Sequence, residues 1–250
     1  MATTYEKLLG ALSLKTPLNI ESDKSLFCNS DLVKASIINK NETLTKSRNV
    51  EILGSFFGSP FVLGNGKISK NTAIFSLLPV ATCGNCSNCK HSCYAVKALI
   101  RPNVWDKRLV YTHLAFTDLA RLKTLLISDL NLIHDKIDFV RIHESGEFFN
   151  QSYLDMWTDI AALFPGIIFY SYTKMENILD FTTVSSMDNF HIVKSLLPDG
   201  SKNYGNSEFV KEKVEKYGFP VCPYGRVENS PKCGKCTLCM HNKYVLFLEH

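Results

Sequence analysis

The spacing of apolar residues predicts helices and strands that alternate through the middle of the chain. From residue 104 to residue 130, leucines such as Leu114, Leu122 and Leu126 recur at helical spacing and predict one long helix or a broken pair. Three further helices are expected at 152–163, 176–181 and 207–218. Short apolar runs predict strands at 74–78, 137–143, 167–172, 190–196 and 219–221.

Strands separated by helices in this order predict βαβ units, and hence an α/β fold with a parallel sheet and right-handed crossovers. About five strong strands are expected, which favours a partial (β/α) barrel or an open parallel sheet over a closed eight-fold barrel. Residues 1–70 are weakly patterned, with a strand pair expected at 50–63, and should form an N-terminal arm or capping layer. Residues 71–250 then form an α/β domain, in one compact unit with that layer.

Composition and charge narrow the class of protein without naming a partner. At 250 residues and 45% hydrophobic composition, the chain can bury one sizeable core and lacks the signature of disorder. It shows neither a signal peptide nor an apolar stretch long enough to span a bilayer, so it is expected to be cytoplasmic, without a membrane partner. A net charge of +4 is too mild to indicate a dedicated nucleic-acid binder, which leaves nucleic acid or another protein as open partners.

Eight of the nine cysteines lie in two short segments, which is where a metal site is expected. The first cysteine segment, residues 83–93, has the spacing C-x2-C-x2-C-x3-C, and the second, residues 222–239, has one cysteine followed by C-x2-C-x2-C. This clustering and a reducing cytosol argue against disulfides. The ninth, Cys28, is expected to be a buried small hydrophobe. The predicted metal ligands of residues 71–250 are Cys83, Cys86, Cys89, Cys93, Cys222, Cys233, Cys236 and Cys239.

Each segment contains a C-x2-C-x2-C triplet and one detached cysteine, which is Cys93 in the first and Cys222 in the second. Three thiolates at this spacing can bind three corners of a cubane, so one or two 4Fe–4S clusters are predicted. The detached cysteine can serve the triplet of the other segment, as in bacterial ferredoxins, or it can close its own site. Zinc is the alternative metal, held by C-x2-C knuckles, and a site of either metal can be structural as readily as redox-active.

A polar segment ends the strand predicted at 137–143 and is a candidate catalytic site. Arg141 and His143 are expected on the same side of this strand because of its two-residue period. Glu147 follows after a sharp turn, and Lys174 ends the next strand at an equivalent level. We therefore expect these four side chains to meet in one pocket near the cysteines.

An alternative interpretation assigns these polar groups to the stability of the fold. Arg141 would then form an ion pair with Glu147 or Glu144, which satisfies its buried charge. His143 would be a hydrogen-bonded core residue, and Lys174 an ordinary solvated residue at the end of a strand.

Five groups of residues together resemble the gene product 88 family of phage and mobile-element proteins. They are Cys89-Lys-His-Ser-Cys93-Tyr94-Ala95, Arg141-Ile-His143-Glu-Ser145-Gly146-Glu147-Phe148, Tyr153 with Trp157, Phe169-Tyr170-Ser-Tyr172-Thr173-Lys174 and Cys233-Gly-Lys-Cys236. The resemblance runs from about residue 74 to the last residue. It implies a shared fold, a shared metal region, a place in the host-cell cytoplasm and a host protein as a candidate partner. It brings no established reaction.

A second resemblance is to radical S-adenosylmethionine enzymes, which place a cysteine motif ahead of a strand that ends in a Gly-Glu turn. Ser145-Gly146-Glu147 is similar to that turn, which implies cofactor binding at Ser145 and Gly146, with Glu147 on the amino group of S-adenosylmethionine. The order of cysteines differs, since these enzymes use C-x3-C-x2-C and residues 86–93 run C-x2-C-x3-C. Radical chemistry is therefore the lesser expectation beside an iron–sulfur protein of redox type.

Overall fold

The computed structural model describes the central part of the chain and several short stretches near its C-terminal end. The described residues are 59–83, 93–99, 101–173, 175, 178–195, 218, 220–222, 236, 238–241 and 244–245. Most of the expected N-terminal layer, up to residue 58, lies outside them, as do residues 207–217 of the helix expected at 207–218. The boundary expected at residue 70 stays a prediction, and Phe61, which precedes it, packs into the main core.

A six-stranded sheet forms the centre of the described structure, with its strands in sequence order. The strands are β1 (Val62–Leu63), β2 (Thr72–Phe75), β3 (Phe139–Ile142), β4 (Ile168–Thr173), β5 (Phe190–Ser195) and β6 (Tyr244–Val245). β1 pairs with β2 in the antiparallel sense, and every later neighbour is parallel. The predicted α/β class is confirmed, but the sheet is mixed rather than wholly parallel. Within the described residues β1 and β6 are its two edges, so this part of the chain forms an open sheet.

The helices follow the strands in the expected alternation. They are α1 (Tyr94–Ala98), α2 (Pro102–Thr117), α3 (Leu119–Ile133), α4 (Gln151–Leu163), α5 (Thr182–Ser185) and α6 (Leu238–His241). The helix expected at 104–130 is a broken pair, because Asp118 has an extended φ of −151° and its side chain accepts a 3.0 Å hydrogen bond from the Arg121 amide. None of the described helices is both long and apolar enough to cross a membrane.

Two expected elements start or end at other residues. β2 ends at Phe75 rather than at residue 78, because the next amides bond outside the sheet. The Leu77 amide donates to the Ser145 carbonyl and the Leu78 amide donates to Thr112 Oγ1, each at 2.8 Å.

The helix expected at 176–181 is also shifted. Residues 178–181 are not helical, and α5 begins at Thr182, whose amide donates to Asp180 Oδ1 at 2.8 Å. Residues 176–177 are not described. Of the strand expected at 219–221, Pro220 and Val221 are described, and Val221 alone of these two forms a bridge.

One face of the sheet, here called the helix side, carries the main hydrophobic core. Phe75, Val140 and Phe169 lie on this face and pack with apolar residues from α2, α3 and α4. Trp157 and Tyr153 of α4 are the largest fully buried side chains in the described structure. Burial of this much apolar surface is the dominant favourable term in the folding of such a domain.

The opposite face, here called the cysteine side, has a different composition. Arg141 and Tyr170 are in register on neighbouring strands there, so their side chains leave the sheet in the same direction. Further along this face, Val193 packs with Cys222. α6 contacts β4, β5 and β6, which brings the end of the second cysteine segment to the sheet.

Candidate functional site

The turn that follows β3 contacts the residues that precede the first cysteine segment. Gly146 has a φ of +93°, and a Cβ at this position would lie 2.8 Å from both Leu77 Cβ and Thr82 Oγ1. A side chain here would therefore clash with the segment that leads to Cys83. Ser145 Oγ donates to the Leu77 carbonyl at 2.8 Å, which adds a side-chain bond between the turn and the same segment.

The same turn also contacts residues that follow the first cysteine segment. The Tyr94 hydroxyl donates to the Glu144 carbonyl at 2.6 Å. Arg108 of α2 donates to the Ala95 carbonyl at 3.2 Å and forms a 3.6 Å ion pair with the Glu144 carboxylate. Both ends of the segment are thus tied to residues 144–146, and Ser145 and Gly146, predicted as cofactor-binding, contact the protein itself.

His143 lies on the helix side of the sheet, away from Arg141. Its φ of +66° breaks the two-residue period of the strand, so the prediction that the two side chains share one side is wrong. The His143 ring packs at 4.7 Å from the Phe148 ring, and Nε2 is 2.9 Å from the Tyr153 hydroxyl. Burial lowers the pKa of His143 to about 3, so the imidazole is neutral near pH 7.

Arg141 lies on the cysteine side with its guanidinium 5.2 Å from the centre of the Tyr172 ring. Its Nε is buried and has no acceptor among the described residues. Burial lowers the pKa of Arg141, but Tyr172, Tyr94 and nearby groups raise it more, so the net pKa is above its ordinary value. The guanidinium of this half-buried residue is therefore a permanent positive charge.

The acidic partners expected for Arg141 have other contacts. Glu144 forms its ion pair with Arg108, and its carboxylate also accepts from Asn65 Nδ2 at 2.7 Å. Glu147 is buried, and its Oε1 accepts from the Phe148 amide at 2.8 Å and from the Thr173 hydroxyl at 2.9 Å. Glu147 thereby links the turn after β3 to the end of β4. Lys174, the fourth predicted catalytic residue, lies outside the described residues.

Five of the eight predicted metal ligands are described. They are Cys83, Cys93, Cys222, Cys236 and Cys239. The other three, Cys86, Cys89 and Cys233, lie outside the described residues. Within the part of the chain that is described, no three Cys, His, Asp or Glu side chains come close enough together to hold a metal ion.

Cys222 and Cys239 belong to one small cluster on the cysteine side. Cys222 is buried with Val193 and Val245, and Cys239 packs against this group. Burial raises the pKa of Tyr172 well above its ordinary value, and a hydrogen bond between its hydroxyl and Cys239 contributes to the increase. Cys222, the detached cysteine, and Cys239, the last cysteine of the triplet in the same segment, are therefore neighbours. This proximity fits a metal site whose four ligands all come from the second segment.

The chemistry of these donors fits a metal group with a net negative charge. Thiolates are the ligands of iron–sulfur clusters and of structural zinc. Arg108 is close enough to Cys93 for an electrostatic interaction. Arg141 lies over the ring of Tyr172, whose hydroxyl is hydrogen-bonded to Cys239. Each cysteine segment therefore has a buried or half-buried arginine nearby.

Arg108 is a member of this site that the sequence analysis missed. It lies on the buried stripe of α2 with Tyr111 and Thr112. A charged residue at helical spacing within an otherwise buried stripe was the available signal. The role of the Tyr172 hydroxyl had no local signal, because its contact with Cys239 joins residues far apart in sequence.

Comparison with known proteins gives one family and one distant relative. The model of the family described as Gene product 88 matches residues 36–217, which include the first cysteine segment and end before the second. The Gene 88 protein of Mycobacterium phage L5 is 26% identical over 129 residues, which cover 43% of this chain and 53% of that protein. The chain thus spans about half the length of this curated relative. No solved structure matches.

Proposed function

The chain belongs to the gene product 88 family, and we propose that it is an iron–sulfur protein whose two cysteine segments each hold a 4Fe–4S cluster. In this proposal Cys83, Cys86, Cys89 and Cys93 hold one cluster. Cys222, Cys233, Cys236 and Cys239 hold the other. Both would lie beside the carboxyl ends of the parallel strands, where open α/β sheets normally place their ligands.

The observation that carries the proposal is the position of the described cysteines from both segments. Cys83 and Cys93 are the first and last residues of the first cysteine segment, and the residues on either side of this segment are hydrogen-bonded to the turn after β3. Cys239 contacts Tyr172 near the end of the adjacent strand β4. Described cysteines of both segments thus neighbour residues at the carboxyl ends of adjacent strands, and a thiol is what these neighbours have in common.

The geometry favours electron transfer or a structural role over catalysis in a polar pocket. When bound, a 4Fe–4S cluster supplies a site that takes up and releases one electron. His143 is a neutral core residue, and the side chains of Ser145 and Glu147 bond to other parts of the chain. Of the three described residues predicted as catalytic, Arg141 alone faces the cysteine side, where its positive charge can stabilise an anionic cluster.

The test is anaerobic purification, followed by a visible spectrum and measurement of iron, sulfide and zinc. A brown protein with about eight irons and eight sulfides per chain is expected from two cubane clusters. About four irons would support a single cluster and contradict the second. A colourless protein that contains zinc would contradict both.

Substitution of the detached cysteines tests which ligands belong together. If each segment closes its own site, Cys222→Ser should lower the iron content by about half and leave the spectrum of the first cluster unchanged. Cys93→Ser should have the converse effect. Cys28→Ser is the matched control, because this cysteine lies outside both segments, and it should leave the iron content unchanged.

Zinc in purely structural sites, in a protein that binds nucleic acid or a host protein, is the second candidate function. The contacts of the turn after β3 favour this second candidate. Ser145 and Gly146 contact residues that precede Cys83, so they are not available to bind a substrate. Zinc in stoichiometric amount, with loss of the folded state on chelation, would support this alternative. Retention of fold after complete chelation would contradict it.

A further inference from the structure

Residues 77–82, which precede Cys83, are buried and contain a strained backbone conformation at Val80. Val80 has a φ of +66°, in the left-handed region, where a β-branched residue is a conformational outlier. The Ala81 amide donates to the Pro79 carbonyl at 2.7 Å, so Val80 is the centre of a three-residue γ-turn. The form of this turn with a positive φ is rare and strained.

Hydrogen bonds attach this γ-turn to α2 and to Cys83. The Leu78 amide donates to Thr112 Oγ1 of α2 at 2.8 Å, and the Thr82 hydroxyl donates to the Leu78 carbonyl at the same distance. The Cys83 amide donates to the Val80 carbonyl at 3.2 Å, so the backbone of this cysteine is bonded to the strained residue. Strained conformations persist only where the surrounding structure over-determines them, and they cluster at ligand clamps and active sites.

The second strained residue lies in a segment that is bonded to the first. Among the described residues, Val80 and His143 are the only non-glycine residues with a positive φ. His143 begins the turn after β3, and Ser145 of that turn exchanges two hydrogen bonds of 2.8 Å with Leu77. Backbone strain is therefore concentrated beyond the carboxyl ends of β2 and β3, where the chain reaches Cys83.

A valine at position 80 restricts the backbone more than the conformation itself requires. Glycine would adopt this φ without steric cost, but it would also adopt many other conformations. The Val80 side chain is 1% exposed, so it is enclosed by the protein while it excludes those alternatives. The residue therefore lowers the stability of the turn and at the same time makes the turn rigid.

We propose that Val80 is a positioning residue, whose strained turn fixes the backbone of Cys83 before metal binds and makes this cysteine the anchoring ligand of its segment. The inference rests on the proposed function in one respect, namely that Cys83 is a metal ligand. A ligand that is already ordered loses less conformational entropy when the metal binds, so the affinity for metal is higher.

The test compares two substitutions of the same residue. Val80→Ala and Val80→Gly both remove the buried methyl groups, but glycine alone relieves the strain. Val80→Gly should therefore unfold at a higher urea concentration than Val80→Ala, which is the reverse of the usual order. Val184 is the matched control, because it is 2% exposed and lies in helix α5. Val184→Ala should be more stable than Val184→Gly.

The two Val80 variants should lose metal in the opposite order to their stability. The comparison is made with Cys222→Ser also present, which in the proposed function leaves the cluster of the first segment alone. After anaerobic purification, Val80→Gly should release iron to a chelator about tenfold faster than Val80→Ala, at the lower end of the effect of residues that orient metal ligands. With a merely structural role for Val80, the more stable variant would release iron more slowly. Equal rates, or faster release from Val80→Ala, would overturn the inference.

The metal-free full chain provides a test that does not depend on bound iron. Amide hydrogen exchange is measured after chelation, by mass spectrometry of peptides that cover residues 77–83. These peptides should remain protected in the unaltered protein, and they should exchange faster in Val80→Gly than in Val80→Ala. Rapid exchange in the unaltered protein, through local or global unfolding, would overturn the inference, because Cys83 would then be ordered by the metal alone.

The outcomes distinguish this inference from the proposed function. Zinc in place of iron would overturn the proposed function, and the release of zinc from the two Val80 variants would then decide the positioning role. Iron that is released equally from both variants would overturn the positioning role and leave the iron–sulfur proposal standing. A chain that binds neither metal would overturn both.

Discussion

The two faces of the sheet are built from the same strands but are stabilised by different means. On the helix side, Val140 and Ile142 of β3 are fully buried in a continuous apolar core. On the cysteine side, Arg141 of the same strand meets aromatic rings and, further along, a cluster that contains Cys222. The helix side can therefore be stable through burial alone, whereas the cysteine side brings a charge and thiols together and depends on what binds there.

His143 illustrates how sharp this division is. It lies two residues beyond Arg141 and would share its face in a regular strand, yet its backbone turns the imidazole into the aromatic core. Desolvation then keeps the ring neutral, as the core requires. A polar residue at a strand end is thus part of the core, and its neighbour Arg141 is part of the candidate site.

The largest effect is expected from truncating the helix side. Trp157→Ala removes a fully buried side chain and should lower the free energy of unfolding by about 3–5 kcal/mol. Urea titration followed by circular dichroism measures this loss, and it should be the same with and without bound metal. Leu163→Ala, at the exposed end of the same helix, is the control and should cost no more than about 0.5 kcal/mol. A small loss for Trp157→Ala would mean that the helix side is not the stable half.

A smaller effect is expected at the turn that joins the two faces. Gly146→Ala places a side chain at a positive φ, which costs about 1–3 kcal/mol, and the clash with Leu77 and Thr82 adds to this cost. Displacement of residues 77–82 should also lower the metal content of the first cysteine segment and spare that of the second. Gly166→Ala is the matched control, because a Cβ there meets no atom within 4 Å. Equal loss of metal from both segments would contradict the local role of the turn.

The pH dependence of stability should show the burial of His143. Its pKa is about 3 in the folded protein against 6.5 without perturbation, so below about pH 6.5 the unfolded chain binds a proton that the folded protein does not. Stability should therefore be fully present above pH 6.5 and fall as the pH decreases toward 3, by at most about 1.4 kcal/mol per pH unit.

Urea titrations at a series of pH values measure this slope. His143→Asn tolerates the positive φ and does not titrate, so the difference between the two proteins isolates the imidazole from the cysteines. Identical slopes in the two proteins would show that the ring is protonated or solvated in the folded state.

The smallest effect is expected at a surface pair that belongs to neither face. Lys123 Nζ of α3 and Asp159 Oδ2 of α4 lie 2.7 Å apart and are both partly exposed to solvent. Lys123→Ala should change the free energy of unfolding by no more than about 1 kcal/mol, and less at high salt. Urea titration at low and high salt checks this value. A larger loss would indicate that contacts between the two helices, rather than the core beneath them, set the stability of the helix side.

The regular part of the fold was predictable because its signals are local. Three strands, β3 to β5, and helix α4 lie within two residues of their predicted positions. Apolar runs and helical spacing determine such elements before any tertiary contact forms. β2 was displaced because its expected last residues bond to Ser145 and Thr112, which are distant in sequence.

The candidate site was predictable in its residue types but not in its geometry. The cysteine spacing identified the segments, whereas the proximity of Cys222 and Cys239 depends on tertiary packing around Val193 and Val245. The opposite placement of Arg141 and His143 depends on one positive φ at a non-glycine residue, for which the sequence offers no reliable signal. The metal itself stays a prediction that the iron and sulfide measurements decide.

Both ends of the first cysteine segment are attached to residues 144–146. The fold of the sheet therefore does not depend on the spacing of the cysteines between these attachments. Because entry and exit are fixed by Ser145 and Tyr94, the number of residues between them can change with a small entropic effect on the sheet. Insertions inside residues 84–92 should therefore alter the metal preference of the first cysteine segment while the domain keeps its stability. Because the attachment points lie outside residues 84–92, this position is suitable for grafting other metal-binding sequences onto the same scaffold.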